Sequence, residues 1–215
     1  MAKHFNIYEP NKTWFFSDAH FGHDNVLKYE PGFHNFKNIH EHDETIIWNW
    51  QKAVQPDDTI FFLGDASMPK VKLWYLTSVF QRLPGHIIWF WGNHDLHIDQ
   101  EWQRQLKQVA DIKFTMYEEI YVPDTDRTKH SYEGRNLRMI VLFHYPIYDW
   151  HGMFQGAYHL YGHSHVNLHP MRNSYSVCAC FTEYKPVNFD WVKKKINHHN
   201  ERLDRSGQPG IQSSR

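Results

Sequence analysis

Three short apolar runs constrain the fold more than any other feature of this chain. TWFFS (13–17), TIFFLG (59–64) and HIIWFWGN (86–93) each suit a strand buried in a sheet. The segments between them read as helices. Residues 42–54 place Ile46, Ile47, Trp50 and Val54 near one face, and Pro56, Asp57 and Asp58 then turn the chain. Residues 70–81 form a second helix closed by Pro84-Gly85, and 99–109 a polar amphipathic third. Beyond residue 110 strands dominate: 112–123, then 137–144, 158–165 and 174–181, with a polar hairpin loop at 125–135 and a last helix over 190–201. This order predicts an α/β sandwich, a pair of mixed sheets with helices outside. It is expected as a single domain over 1–203, with 204–215 (DRSGQPGIQSSR) a disordered tail.

Composition narrows the function classes. The 215 residues carry a net charge of −1 with histidine neutral, so no global basic field favours nucleic acid or an anionic membrane. No apolar run reaches membrane-spanning length and the N-terminus lacks a signal-peptide core, which predicts a soluble cytoplasmic protein. The two cysteines, Cys178 and Cys180, are expected on one face of a strand as buried thiols, because a bridge across C-x-C is strained. Eighteen histidines are many, and what matters is which stand beside carboxylates.

The strand ends answer that. TWFFS runs into Asp18 and His20, TIFFLG into Asp65, and IIWFWG into Asn93, His94 and Asp95. MIVLF runs into His144, and HLYG into His163 and His165. Three of these five ends pass through a glycine (Gly64, Gly92, Gly162), which permits a tight turn and close approach. Ligands of α/β folds gather at the carboxyl ends of strands. Asp18, His20, Asp65, Asn93, His144, His163 and His165 are oxygen and nitrogen donors with no sulfur among them, too many for one tetrahedral ion and suited to two that share a carboxylate.

In their order, SDAHFGH, GDAS, GNHD, HYP and GHSH resemble the motif blocks of the calcineurin-like metallophosphoesterase superfamily, over residues 18–165. The opening block is most similar to the small bacterial and phage members. The resemblance implies a four-layer αββα sandwich of two mixed sheets flanked by helices. It also implies that Asp18, His20 and His165 hold one divalent ion, that Asn93, His144 and His163 hold a second, and that Asp65 bridges both. The family suggests Mn or Fe as the working ions, while ligand type alone also allows Zn, Co or Ni. With two carboxylates and a bridging hydroxide, such a centre keeps about +1 charge and attracts a phosphate group. The implied reaction is in-line attack of hydroxide on phosphorus, with His94 facing the phosphoryl group and able to protonate the leaving oxygen. Asp95 either orients His94 or caps the next helix.

Departures from the family bear on substrate. GDASMPKVK lacks the acidic residue and arginine that the protein-phosphatase branch carries after the bridging aspartate, and GNHD stands where that branch has GNHE. Candidate substrate contacts are His23, Asn93, His94, Tyr145, His151 and Arg172. Tyr145, Tyr148, Trp150 and His151 belong to an aromatic loop that either stacks on a base or packs on itself, and Lys70 and Lys72 either reach phosphate or form a solvated helix face. The expected activity is hydrolysis of a phosphomonoester or phosphodiester of a small molecule such as a nucleotide. A nuclease is the alternative, disfavoured by the missing basic track. A non-catalytic protein-binding module ranks below both, since it predicts lost ligands.

Overall fold

Phe15 and Phe16 are adjacent in β1 (Thr13–Phe16), and both are fully buried. Successive strand side chains point to opposite faces, so both faces of this sheet are covered. The computed structural model describes residues 6–29, 36–126, 131–132, 135–165 and 171–206. One sheet has the order β10 (Val187–Asn188), β1, β2 (Thr59–Phe62), β3 (His86–Phe90), β4 (Ile112–Thr115). β1 to β4 are parallel, with Phe15 opposite Phe61 and Phe61 opposite Ile88, and β10 is antiparallel to β1. The second sheet has the order β5 (Tyr117–Pro123), β7 (Arg135–Phe143), β8 (Tyr158–Tyr161), β9 (Ser174–Ser176). In it β7, β8 and β9 are parallel and β5 is antiparallel, while β6 (Ser131–Tyr132) pairs with β7. The expected run at 112–123 therefore breaks at Met116, and its two halves serve different sheets.

One outer face holds Phe16, Phe62 and Trp89 against α2 (Ile39–Ala53), α3 (Leu73–Phe80) and α4 (Gln100–Val109), through Trp50, Phe80 and Leu106. Between the sheets lie Phe15, Phe61 and Phe90 from one side and Ile140, Leu142 and Leu160 from the other. Along β7 the alternation sends Met139 and Val141 outward, where Trp150, Met153 and Ala157 cover them. The fourth layer is thus the 144–157 loop with its short 3₁₀ turn (Met153–Gln155). The last helix, α5 (Phe189–Ser206), puts Phe189, Val192 and Ile196 into the core between the sheets. A short helix, α1 (Val26–Tyr29), follows the first strand.

Element ends differ from the sequence expectation for local reasons. α2 begins at Ile39 because the Asn38 side chain accepts the Glu41 N–H at 2.9 Å. α3 begins at Leu73, leaving Lys70 and Lys72 exposed ahead of it. The strand expected over 158–165 stops at Tyr161, and the one over 174–181 stops at Ser176. There the chain crosses between sheets: Val177 N–H donates to Tyr161 O (2.8 Å) and Ala179 N–H to Ser17 O (2.8 Å). A 3₁₀ turn follows (Ala179–Phe181), so Cys178 and Cys180 do not share a strand face; both are buried, with sulfurs 3.2 Å apart. α5 carries the helix through residues 204–206, and the rest of the expected tail lies outside the described residues, as do 127–130 and 133–134 of the expected hairpin loop. No helix among the described residues is long and apolar enough to cross a membrane.

Candidate metal centre

Parallel strands end at one edge, and here two sets of parallel strands end at the same edge. β1, β2 and β3 deliver Asp18, His20, Asp65 and Asn93 from one sheet; β7 and β8 deliver His144, His163 and His165 from the other. The sheets are joined at this point. His144 Nδ1 lies 2.6 Å from Leu63 O, and the His163 N–H donates to the Asp18 carboxylate at 3.0 Å.

The turns that aim these side chains are strained. Asp18, His20, Asp65 and His163 all have φ between 46° and 64°, the left-handed region that non-glycine residues seldom enter. Glycines let these turns close on one another. A Cβ at Gly92 would overlap the Asp65 side chain, and one at Gly162 would overlap Ser17 Oγ and the Asp18 carboxylate. The glycines ahead of the donors are thus required by contact between neighbouring strand ends.

Two groups of three donors can each hold a metal ion, Asp18/His20/His165 and Asp65/His144/His163, with donor atoms within 4.8 Å of one another in each. Asn93 Oδ1 adjoins the second group, 2.7 Å from His163 Nδ1 and 3.1 Å from His144 Nε2. In the first, His20 Nε2 and His165 Nε2 are 3.3 Å apart, and His165 Nε2 is 3.6 Å from Asp18 Oδ1. In the second, His144 Nε2 is 3.4 Å from Asp65 Oδ2. Asp18, His20, Asp65 and His144 are buried, and His163 is exposed, so the centre has a closed floor and an open mouth.

The electrostatics suit cations. Burial pushes Asp18 up to about 6, and nearby Asp65 adds to the rise while His144 and His165 oppose it. Burial drives His20 down to about 3, so its imidazole is neutral. Burial also lowers His163, with His144 adding to the shift. For His144 burial acts downward, but its hydrogen bond to Asp65 and the two nearby carboxylates raise it; for Asp65 burial acts upward, but the bond to His144 and that imidazole's charge outweigh it. The His144 Nδ1–H donates to Leu63 O, which leaves Nε2 to face Asp65, where a divalent ion would take the place of its proton. His20 Nδ1 is buried without a hydrogen-bond partner among the described residues. A His20 ring kept neutral by burial, and histidine nitrogens converging on the Asp18 and Asp65 carboxylates, fit divalent ions in both groups.

His94 stands at the mouth. Its backbone N–H donates to Asp65 Oδ1 (2.8 Å), its Nε2 is 4.0 Å from Asp65 Oδ2, and its side chain is 36% exposed. Its ring is 5.5 Å from that of His20, and the His23 ring is 6.1 Å from that of His20. Burial and the proximity of His94 lower His23. Tyr145 packs on His163 with ring centroids 4.7 Å apart. The structure therefore brings His23, Asn93, His94 and Tyr145 to the donor groups.

Other candidates are directed elsewhere. His151 is exposed and paired with Glu119 (2.9 Å), and Arg172 is captured by Asp204 of α5. Neither has a hydrogen bond, ion pair or ring contact with a donor residue among the described residues. Trp150 is buried, with its indole N–H on Ala157 O, so it packs its own loop; Tyr148 is 70% exposed. Asp95 has neither expected role. Its buried carboxylate accepts the N–H groups of Asp65 (2.8 Å), Ala66 (2.9 Å) and Gly92 (3.0 Å) and the Trp89 indole (3.0 Å), while Asp99 caps α4. It clamps the ends of β2 and β3 together.

Two features escaped the sequence reading. Cys178 Sγ lies 3.6 Å from His165 Nδ1, and with Cys180 these residues form a further group able to hold a metal. Asp43 is buried and accepts the Gly22 N–H at 2.7 Å. The available signal was an aspartate on the apolar face of α2, in line with Ile46, Ile47 and Trp50.

No protein-family model matches the chain. It is similar to the uncharacterized protein MJ1445 of Methanocaldococcus jannaschii, 29% identical over 194 residues that span 86% of this chain and 91% of that one. The Gene 66 protein of Mycobacterium phage L5 is 34% identical over 87 residues, 40% of each chain. Among solved structures, the protein of unknown function AQ665 from Aquifex aeolicus superposes with a TM-score of 0.57 at 23% identity, covering 86% of this chain and 98% of that one, a likeness of fold.

Proposed function

We propose that this protein is a dinuclear metal-dependent phosphoesterase, similar to the calcineurin-like metallophosphoesterases, acting on a small phosphorylated molecule such as a nucleotide. The observation that carries the reading is the pair of donor groups from two sheets, Asp18/His20/His165 and Asp65/His144/His163, with His94 above Asp65. Asp65 would be the shared ligand and Asn93 would complete the second set. Mn or Fe are the proposed ions, with Zn, Co or Ni compatible with the same donors. When bound, two such ions make a water molecule nucleophilic near neutral pH and offset charge on a phosphoryl group.

The chain's own residues do the rest. The strained turns and the Asp95 clamp hold the donors fixed, so little reorganisation is needed on reaction. His94, partly exposed and anchored by its backbone to Asp65, donates a proton to the departing oxygen. His23, close enough to His94 to feel its charge, hydrogen-bonds a phosphoryl oxygen. Tyr145, at the mouth beside His163, offers a ring to the organic part of the substrate. A cytoplasmic setting, where thiols stay reduced, belongs to the same reading.

The test is hydrolysis of bis(p-nitrophenyl) phosphate and p-nitrophenyl phosphate by protein stripped with chelator and reloaded with each ion. Turnover restored by reloading is the expected result; folded protein that turns over neither ester with any of the five ions would overturn the proposal. A nucleotide and oligonucleotide panel then separates a small-molecule esterase from a nuclease.

A further inference from the structure

Asp43 is a buried carboxylate outside the proposed metal centre, and three elements converge on it. Its Oδ1 lies 2.7 Å from His42 Nδ1. Its Oδ2 accepts the Tyr75 hydroxyl of α3 at 2.5 Å and the Gly22 backbone N–H at 2.7 Å. It has no capping role, because Asn38 caps α2. An aspartate on the core face of a helix costs stability unless it is hydrogen-bonded, and these three contacts satisfy it.

The Gly22 contact shows what Asp43 controls. Along 18–21 the turn is held by the end of β2: the Asp18 N–H donates to Gly64 O (2.9 Å), His20 to Asp65 O (3.1 Å) and Phe21 to Ala66 O (2.7 Å). That ladder ends at Phe21, which bridges to Ser67. The next residue, Gly22, turns at φ 71°, with a Cβ position 3.1 Å from Tyr75 and 3.2 Å from Val71. Its N–H goes to Asp43. His23 follows directly, and its N–H returns to His20 O at 3.1 Å. The metal donors Asp18 and His20 thus have their own anchors on the end of β2, while the step from them to His23 is held at Gly22 by Asp43 and at its far end by the His23 N–H on His20 O.

We propose that Asp43 is a positioning residue that sets His23 against the substrate phosphoryl group by holding the Gly22 N–H. This rests on the phosphoesterase reading, in which His23 contacts that group. Removing the carboxylate should leave the two metal sites intact and let His23 swing away. Partners that orient metal ligands are typically worth about 10–100-fold, and one that orients a substrate contact is expected at the lower end of that range.

The test combines Asp43→Ala, His23→Ala and the double variant with amide hydrogen exchange at Gly22. Asp43→Ala is expected to keep the metal content of the native protein, lose Gly22 protection, and lower kcat/KM about tenfold. The double variant is expected to be no worse than His23→Ala alone. Asp43→Asn, whose amide oxygen still accepts the Gly22 N–H, should restore most of the loss. Unchanged Gly22 protection in Asp43→Ala, loss of metal, or effects that multiply with His23→Ala would overturn the proposal. If Asp43→Ala does not fold, Asp43→Ser keeps a hydroxyl for Tyr75 but withdraws from Gly22; if neither folds, Asp43 serves the fold alone and the proposal is overturned. Amide exchange needs no activity, so an inactive native protein counts against the phosphoesterase reading and a protected Gly22 in Asp43→Ala against this one.

Discussion

Asp95 accepts four hydrogen bonds with its carboxylate fully buried, so each donor has lost its water. Asp95→Ala strands all four, and unsatisfied buried donors cost about 1–3 kcal/mol each before relaxation. The expected loss is at least about 3 kcal/mol, or roughly 6–12 °C in Tm for a chain of this size, read by thermal unfolding. Tm within 2 °C of native would contradict the clamp. His94→Ala should act on chemistry instead. It is expected to lower kcat by about 10²–10⁴-fold while Tm and metal content stay native, checked by steady-state kinetics beside a metal assay. These roles show the limit of residue-level reading. The donors were legible because each follows its strand within a few positions, whereas the partners of Asp95 come from the ends of two strands, and the Gly22 contact of Asp43 crosses 21 positions.

β8 shows how an element is tied down. His159 is buried, with Nδ1–H on Val141 O of β7 (3.1 Å) and Nε2 accepting the Ile147 N–H of the covering loop (3.1 Å). The Ile147 bond needs the neutral ring, because a protonated Nε2 cannot accept, and burial lowers the pKa from 6.5 to about 4. A depressed folded-state value means that this stability is fully present above pH 6.5 and is lost as pH falls through about 4. Between pH 7 and pH 5 the native protein should lose about 2 kcal/mol more than His159→Gln, by urea unfolding at each pH. Equal losses would contradict the neutral-ring role. The strands and main helices were legible from period and apolar runs. The early end of β9 was not, because it depends on Ser17 O, 162 positions away, capturing the Ala179 N–H. Nor was the covering of sheet two by a loop, since Trp150 and Met153 look the same in sequence whether they meet a base or Met139 and Val141.

The proposed centre is also where the two sheets meet, and this ties metal binding to the stability of the whole molecule. Each donor group draws from both sheets: Asp18 and His20 with His165, and Asp65 with His144 and His163. Bound ions would act as cross-links between layers that otherwise share mainly an apolar core. An ion present at 100 times its Kd adds about 2.7 kcal/mol. Stripping two should lower Tm by roughly 10–20 °C, read by thermal unfolding with and without chelator, and reloading should restore it. The α/β sandwich was legible from element order, and the shared edge followed from where the polar residues fall. In the proposed centre one carboxylate, Asp65, joins two ions supplied with donors by two sheets. The decisive measurement is the metal-to-protein ratio of the native chain and of Asp65→Asn after reloading with Mn. Two ions are expected in the native chain and one or fewer in Asp65→Asn; a native ratio of one, or two retained without Asp65, would rule the shared ligand out.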